Sequence, residues 1–404
     1  MTASKGLTLL KNTLVWCCLA LVIGAMVGAL DALFGRVLIG LSNFRTAHSF
    51  YLLPFLALAG LTIVGCYQKF GGKSGKGMTL VFDVNEGKEE TIPLRLIPLA
   101  MGATWLTHLF GGSAGREGVA VQLGATLSHR FSRWISQEEG SNKLLVLGMA
   151  AGFAGLFQTP LAATLFAMEV LIIGRFYSQA LFPTFVASFM ASWTSHSLGL
   201  EKFTFPVSVS LTLTPELVLK LLLLGILFGL CGNFFAYALT YAKRWAAKLF
   251  PNPYWRIASL GVLLSILFLV LDAGRYSGLG TNLISASFSG GSILPYDWLL
   301  KLLLTVLTLA AGYQGGEVTP LFTIGACLGV AVSSLVGLPL VFVAALGYAA
   351  VFGSATSTFL GPMLIGCEVF GYANLPYFFI VCAIAFALHP QHSIYGAQKM
   401  VSNK

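Results

Sequence analysis

Along this chain the polar positions are confined to short breaks between apolar runs. The runs cover residues 12–34, 50–67, 92–111, 118–131, 144–157, 160–174, 179–199, 216–242, 256–274, 297–313, 320–336, 338–352, 358–371 and 374–389. A helix rises about 1.5 Å per residue, so crossing the apolar core of a bilayer takes about 20 mostly apolar residues. The longer runs meet that length, and several others fall short of it, predicting half-helices. The run at 12–34 follows a short basic lead but is too long for the core of a signal peptide, so it reads as a span. The longest polar insertion, 83–91, reads as a loop, and neither end carries a recognisable soluble appendage. The pattern predicts an all-α polytopic membrane protein with broken and reentrant helices.

The breaks are not random. Gly112-Ser113-Ala114-Gly115-Arg116-Glu117 returns 200 residues later as Gly312-Tyr313-Gln314-Gly315-Gly316-Glu317, and each precedes an apolar helix carrying a Gly-Ala pair, Gly124-Ala125 and Gly325-Ala326. A second echo joins Glu169-Val170 to Glu368-Val369 at almost the same offset. The chain therefore reads as two membrane repeats, 1–205 and 206–404, joined through the more polar stretch 200–215. Short, Gly-interrupted apolar segments at matching places in two halves point to discontinuous helices around a site at mid-membrane depth.

Composition agrees with the pattern. Hydrophobic residues make up 56% and charged residues 10%, against roughly 45–50% and about 25% in a soluble domain. The net charge of +9 comes from 24 basic and 15 acidic residues. The basic ones occur singly or in loose groups such as Lys243, Arg244 and Lys248, without aromatic interleaving, so no nucleic-acid partner is expected. The loop charges are too few to orient the chain. The seven cysteines lie in apolar surroundings without ligand spacing and read as small hydrophobes. No metal-ligand cluster or Ser/His/Asp arrangement points to an enzyme. His48, His129, His389 and His392 lie beside polar or loop residues, while His108 and His196 read as satisfied helix residues.

An ionisable group at bilayer depth costs about 2.5–3.5 kcal/mol on the most lenient scale, so intramembrane acids are functional candidates. They are Asp31, Glu117, Glu169, Asp272, Glu317 and Glu368. Asp31 and Asp272 fall near span ends, where they can reach the interface. Glu169 and Glu368 end apolar helices, where they can bond to neighbouring backbone or take part in function. Glu117 and Glu317 each lie in a Gly-rich turn that opens a helix. Glycine permits close backbone approach, and a helix start offers unpaired N–H groups with a partial positive charge. A carboxylate there can occupy an anion's place and leave when protonated; alternatively it caps its own helix. The Gly-rich stretch 71–78 is not a phosphate loop, because the position five residues before Gly72-Lys73-Ser74 is Tyr67 and that before Gly75-Lys76 is Phe70, where the motif needs Gly. It reads as a loop leading into another half-helix.

Gly115-Arg116-Glu117-Gly118, Gly315-Gly316-Glu317-Val318-Thr319-Pro320, the helix-ending Glu169 and Glu368, and Tyr395 together resemble the CLC family of anion channels and anion/proton exchangers, over about residues 50–396. The resemblance implies inverted repeats, a homodimer with one anion path per subunit, a gating Glu117 and a central Tyr395. Departures are specific: Val119 stands where chloride-type members usually have Pro, Val318 where they have Phe, and Val170 where chloride/proton exchangers tend to have a relay glutamate. Gly77-Met78-Thr79 stands where their first anion loop has Ser. These departures resemble the fluoride/proton antiporter branch. The expected function is fluoride export driven by protons across the cytoplasmic membrane, giving fluoride resistance, with Glu117 transferring the proton and, since Val170 replaces the relay acid, Glu317 as second acceptor. The branch's anion-binding set maps onto Met78, Phe82, Gly115, Arg116, Gly118, Val318, Thr319 and Tyr395, without metal or cofactor. Fluoride needs several close donors to replace its water, and the positive edge of the Phe82 ring can add to backbone N–H groups and hydroxyls; Phe82 can equally be core packing. A chloride channel or chloride/proton exchanger of the same fold is the alternative, and a non-transporting membrane receptor the more remote one.

Overall fold

The computed structural model describes residues 3–134, 138–209, 211–388 and 393–400. His389 and His392 lie outside the described residues. In chain order the helices are α1 (Ala3–Ala47), α2 (Ser49–Leu52), α3 (Leu56–Cys66), α4 (Met78–Asn85), α5 (Leu96–Leu109), α6 (Glu117–His129), α7 (Glu138–Phe157), α8 (Pro160–Glu169) and α9 (Leu181–Ser197). An extended stretch then leads to α10 (Pro215–Leu249), α11 (Pro253–Val270), α12 (Thr281–Ser289), α13 (Asp297–Ala311), α14 (Val318–Val336), α15 (Leu340–Thr356), α16 (Leu360–Phe370) and α17 (Leu375–Ala387). Two-residue strands β1 (Ile172–Ile173) and β2 (Lys399–Met400) pair in parallel and tie the C-terminal segment to the end of α8. The architecture is a polytopic helical membrane fold with broken helices. Among the described residues, six helical stretches are long and apolar enough to cross a membrane.

The apolar runs mark the helices well, with three differences. The run at 12–34 is the middle of a longer helix, α1. The insertion at 83–91 is partly helical, because α4 continues to Asn85 before the loop opens. Helix α12 lies in no run; its Ser287 hydroxyl bonds back to Leu283 O, and left-handed Gly280 and Gly290 bound it.

Two helix pairs form the centre. A Cβ on Gly124 of α6 would lie 2.9 Å from Gly152 N and closer still to Gly148 O, so α6 and α7 touch backbone to backbone. Gly325 of α14 meets Gly347 and Tyr348 of α15 in the same way. Between the pairs lies an aromatic column. Phe322 stacks on Tyr348 at 4.1 Å and on Phe157 at 5.2 Å, and Phe153, Phe166 and Phe352 continue it.

Helices α8 and α16 are too short to cross, at ten and eleven residues, and they solve the problem of their buried ends together. Glu169 at the end of α8 accepts N–H bonds from Phe359 (3.2 Å), Leu360 (3.0 Å) and Gly361 (2.7 Å) at the start of α16. Glu368 in α16 accepts from Leu161 (3.3 Å) and Ala162 (2.8 Å) at the start of α8. Each carboxylate thus satisfies orphan donors of the other helix and meets its positive end.

On the outer surface, Leu219, Leu223, Ile226, Leu230, Phe234, Tyr237 and Tyr241 form an exposed apolar stripe along α10 at three- and four-residue steps. A hydrocarbon environment suits that stripe, and water does not.

Candidate anion and proton site

The two Gly-rich turns meet inside the protein. Gly115 N–H donates to Gly316 O at 2.5 Å, and Gly316 N–H to Gly115 O at 2.7 Å, a two-bond antiparallel bridge between the halves. A Cβ on Gly316 would lie 2.9 Å from Gly118 N, so only glycine lets the turns approach this closely. The bridge also corrects one expectation. The Gly115 N–H is engaged by Gly316 and is not a free donor for an anion; the residue contributes closeness instead.

The bridge brings the starts of α6 and α14 together. Glu117 is 1% exposed and serves more than the start of its own helix. Its carboxylate accepts a very short bond from the Thr319 hydroxyl, and N–H bonds from Thr319 (3.2 Å) and Arg116 (3.3 Å). Thr319 lies in the first turn of α14, so a carboxylate from the first half occupies a helix N-terminus in the second. Arg116 Nε is 3.6 Å from the same carboxylate. Gly118 and Val318 are buried at the two helix starts, and neither side chain offers a polar group.

Glu317 immediately precedes α14 and lines a cavity of about 230 Å³ together with Met78, Thr79, Phe82, Lys243 and Tyr395. Helix α4 opens onto this cavity after Gly77, whose φ of +55° turns the chain into the helix. The Phe82 and Tyr395 rings lie 5.7 Å apart at 39°. Phe82 is therefore both packed, at 2% exposed, and in the cavity wall. Arg116 is not part of the wall; its charge lies against Glu117.

The loop beside the cavity is held by ion pairs. Lys76 reaches Asp83 (2.8 Å) and Glu89 (3.1 Å), and Lys73 reaches Glu89 (2.5 Å). The hydrogen bond from Lys73, then that from Lys76, holds the Glu89 carboxyl below its ordinary 4.5. A depressed carboxyl contributes its anchoring above the ordinary value and loses it as pH falls through the lower folded value. Amide hydrogen exchange over residues 86–95 should accordingly show protection that is steady from pH 7 to 5 and declines below about 4.5. Unchanged protection at pH 3 would mean that these pairs do not order the loop.

Several residues fall elsewhere than expected. Asp31 does not reach an interface: it is fully buried against Gly155, and neither carboxylate oxygen has a hydrogen-bond partner. Asp272 does lie at the surface. His108 sits within helix α5 with its ring nitrogens 2.9 Å from Thr104 O and 3.0 Å from Ala114 O. Three buried charges were missed: Arg45 and Lys301, because only acids in the spans were singled out, and Asp297, the first residue of the run 297–313. Lys301 of α13 donates to Ser113 Oγ, Tyr276 O and Gly278 O and so supports the turn before Glu117. Asp297 accepts from Arg275, Tyr276 and Leu294. A lone Lys in the run 297–313 was the available signal for the first.

A family model described as voltage gated chloride channel matches residues 59–389. A curated relative, the "Chloride/fluoride channel protein" of Pseudomonas syringae pv. tomato, is 34% identical over 99% of this chain and 90% of its own. The ClcB chloride channel of Salmonella typhimurium is 26% identical over 71% of each chain. Among solved structures, a CLC-type fluoride/proton antiporter superposes with a TM-score of 0.94 at 54% identity, covering 99% of this chain and 100% of that one. A slow cyanobacterial chloride/proton antiporter superposes at 0.80 with 20% identity, over 92% and 93%, a likeness of fold.

Proposed function

Because the chain belongs to the voltage gated chloride channel (CLC) family, we propose that it is a fluoride/proton antiporter, with Glu117 gating the anion path and carrying the proton. The observation that carries this reading is the Glu117 carboxylate resting on the Thr319 hydroxyl and N–H at the start of α14. A helix N-terminus with a hydroxyl beside it is an anion seat, and here the occupant is an acid. While ionised, Glu117 competes with the anion for these donors. On protonation it loses its charge, releases them and takes the proton with it, so one side chain exchanges one species for the other. Glu317 is the second proton acceptor, on the cavity side, and Tyr395 and Thr319 complete the anion's coordination.

Three features favour fluoride over chloride: Met78 at the opening of α4, Val170 after Glu169 in place of a second relay acid, and the 54% identity to a fluoride/proton antiporter. The capping role of Glu169 leaves the proton no separate relay there, which fits a route shared with the anion. The protein is further read as a homodimer of the cytoplasmic membrane, built from repeats 1–205 and 206–404 and exporting fluoride with the inward proton gradient; light scattering of the solubilised protein tests the dimer.

In proteoliposomes loaded with either halide, fluoride efflux should greatly exceed chloride efflux and move protons in the opposite direction. Equal chloride flux makes the protein a chloride exchanger of the same fold, and flux without proton movement makes it a channel. Met78→Ser should raise chloride flux relative to fluoride by about tenfold, since each tenfold is 1.4 kcal/mol of discrimination and a hydroxyl donor to a larger halide is of that size. An unaltered halide ratio assigns Met78 to packing alone.

A further inference from the structure

We propose that Lys243 captures the transported anion in the cavity beside Glu317, pairing by turns with the ionised Glu317 carboxylate and with the incoming anion. The inference rests on anion/proton exchange at this site, whichever halide is carried.

Its position on α10 is the first argument. Lys243 follows Leu239 by four residues and precedes Ala246 by three, and both are 1% exposed. Residues three and four apart share a helix face, so Lys243 lies on the inward stripe of α10, about 160° around the helix from the outward Tyr241. An inward position near the end of an apolar helix calls for an apolar side chain unless a polar space lies opposite. The cavity of about 230 Å³ is that space, and Lys243 lines it with its side chain about half exposed.

The second argument is how its charge is held. Lys76 also lines the cavity but is hydrogen-bonded to Asp83 and Glu89. Lys243 has Glu317 Oε1 at 3.9 Å, within Coulomb range but beyond hydrogen-bond reach. It is an ammonium with three donors facing an acid at a distance that leaves room for a small ion to one side. The charged and titratable groups lining this space are Lys76, Lys243, Glu317, Tyr395 and Tyr313, whose hydroxyl is engaged by Leu56 O, with Glu117 beyond them. Ionised Glu317 and an anion therefore compete for the Lys243 ammonium. When a proton reaches Glu317, the carboxyl becomes neutral, Lys243 is released to hold the anion, and the new O–H can donate to it as well. When the proton leaves, Glu317 recovers Lys243 and the anion is displaced. Arrival of a proton from one side and loading of an anion from the other become a single event.

Calorimetric binding of fluoride to the solubilised full-length protein, over a range of pH, tests this. For wild type, affinity should rise as pH falls. Lys243→Gln should weaken binding about tenfold, the lower end for a hydrogen bond to a charged group, and flatten the pH dependence. Glu317→Gln should flatten it too but tighten binding, because the competitor is gone, and the effects of the two substitutions should be non-additive. Lys243→Arg should retain most of the wild-type affinity and slope. A Lys243→Gln protein with wild-type affinity and slope overturns the inference, as does a double variant whose affinity is the simple sum of the Lys243→Gln loss and the Glu317→Gln gain. Running the same titrations with chloride separates the two readings. If the protein binds and carries chloride rather than fluoride, the fluoride proposal falls, and the same pattern measured with chloride still supports the role of Lys243.

Discussion

Glu117→Gln should abolish coupled exchange. In proteoliposomes with an outward fluoride gradient, proton uptake should fall at least about a hundredfold, to the level of empty vesicles. Glutamine is nearly the same size, and its amide oxygen can still accept from Thr319, so the fold and the seat on α14 survive. It cannot change charge. It neither competes with the anion as a carboxylate nor leaves as a neutral acid, and its NH2 group faces the donor Arg116, which offers only N–H groups. The 1% exposure of Glu117 leaves no bulk water to substitute for it as a proton carrier. Retained proton uptake in this variant removes Glu117 from the reaction and with it the exchange mechanism.

Glu169→Ala should cost stability rather than chemistry. Three partly buried N–H groups at the start of α16 lose their acceptor, and a fully buried unsatisfied donor costs about 1–3 kcal/mol. With partial relief by water, a loss of about 3 kcal/mol or more follows, seen as earlier loss of the monodisperse peak on heating in detergent. Glu169→Gln keeps one acceptor oxygen and should be far milder, with proton coupling near wild type. Loss of proton transport in a stable Glu169→Gln protein would instead make Glu169 a carrier.

Much of this was legible in the sequence. The apolar runs gave most of the helices because a bilayer core leaves backbone polar groups no partner outside a helix. The paired turns at 112–117 and 312–317 marked the junction of the halves, because only glycine permits that approach. What was not legible is which element each charged side chain serves. Glu117 read as an acid at the start of α6, but besides its neighbour Arg116 its partner is Thr319 on α14. Glu169 and Glu368 read as helix ends, yet each serves the start of a helix about 190 to 210 residues away. Asp31 read as interfacial because it lies near the end of the run 12–34, and the helix turned out to continue to Ala47. Lys243 read as one of a loose basic group, because helical phase separates it from its neighbours only once the inward stripe of α10 is known. Residue type and local spacing carry the local half of a site, and the partner across the repeat is set by tertiary packing.

The bridge between Gly115 and Gly316 bears on how the two halves can diverge. Each turn is the hydrogen-bonding template for the other, so their lengths are not independent. One residue added to either turn shifts the pairing by one position and carries its glutamate to the other side of the bridge, as any slip does in an antiparallel pair. Side chains around the turns are free to drift, as Arg116 against Gly316 already shows, but an insertion in one half is tolerated only with a matching change in the other. The two turns are locked in length while remaining open in composition, so a library of single insertions and deletions should find its sharpest intolerance at residues 112–118 and 312–318.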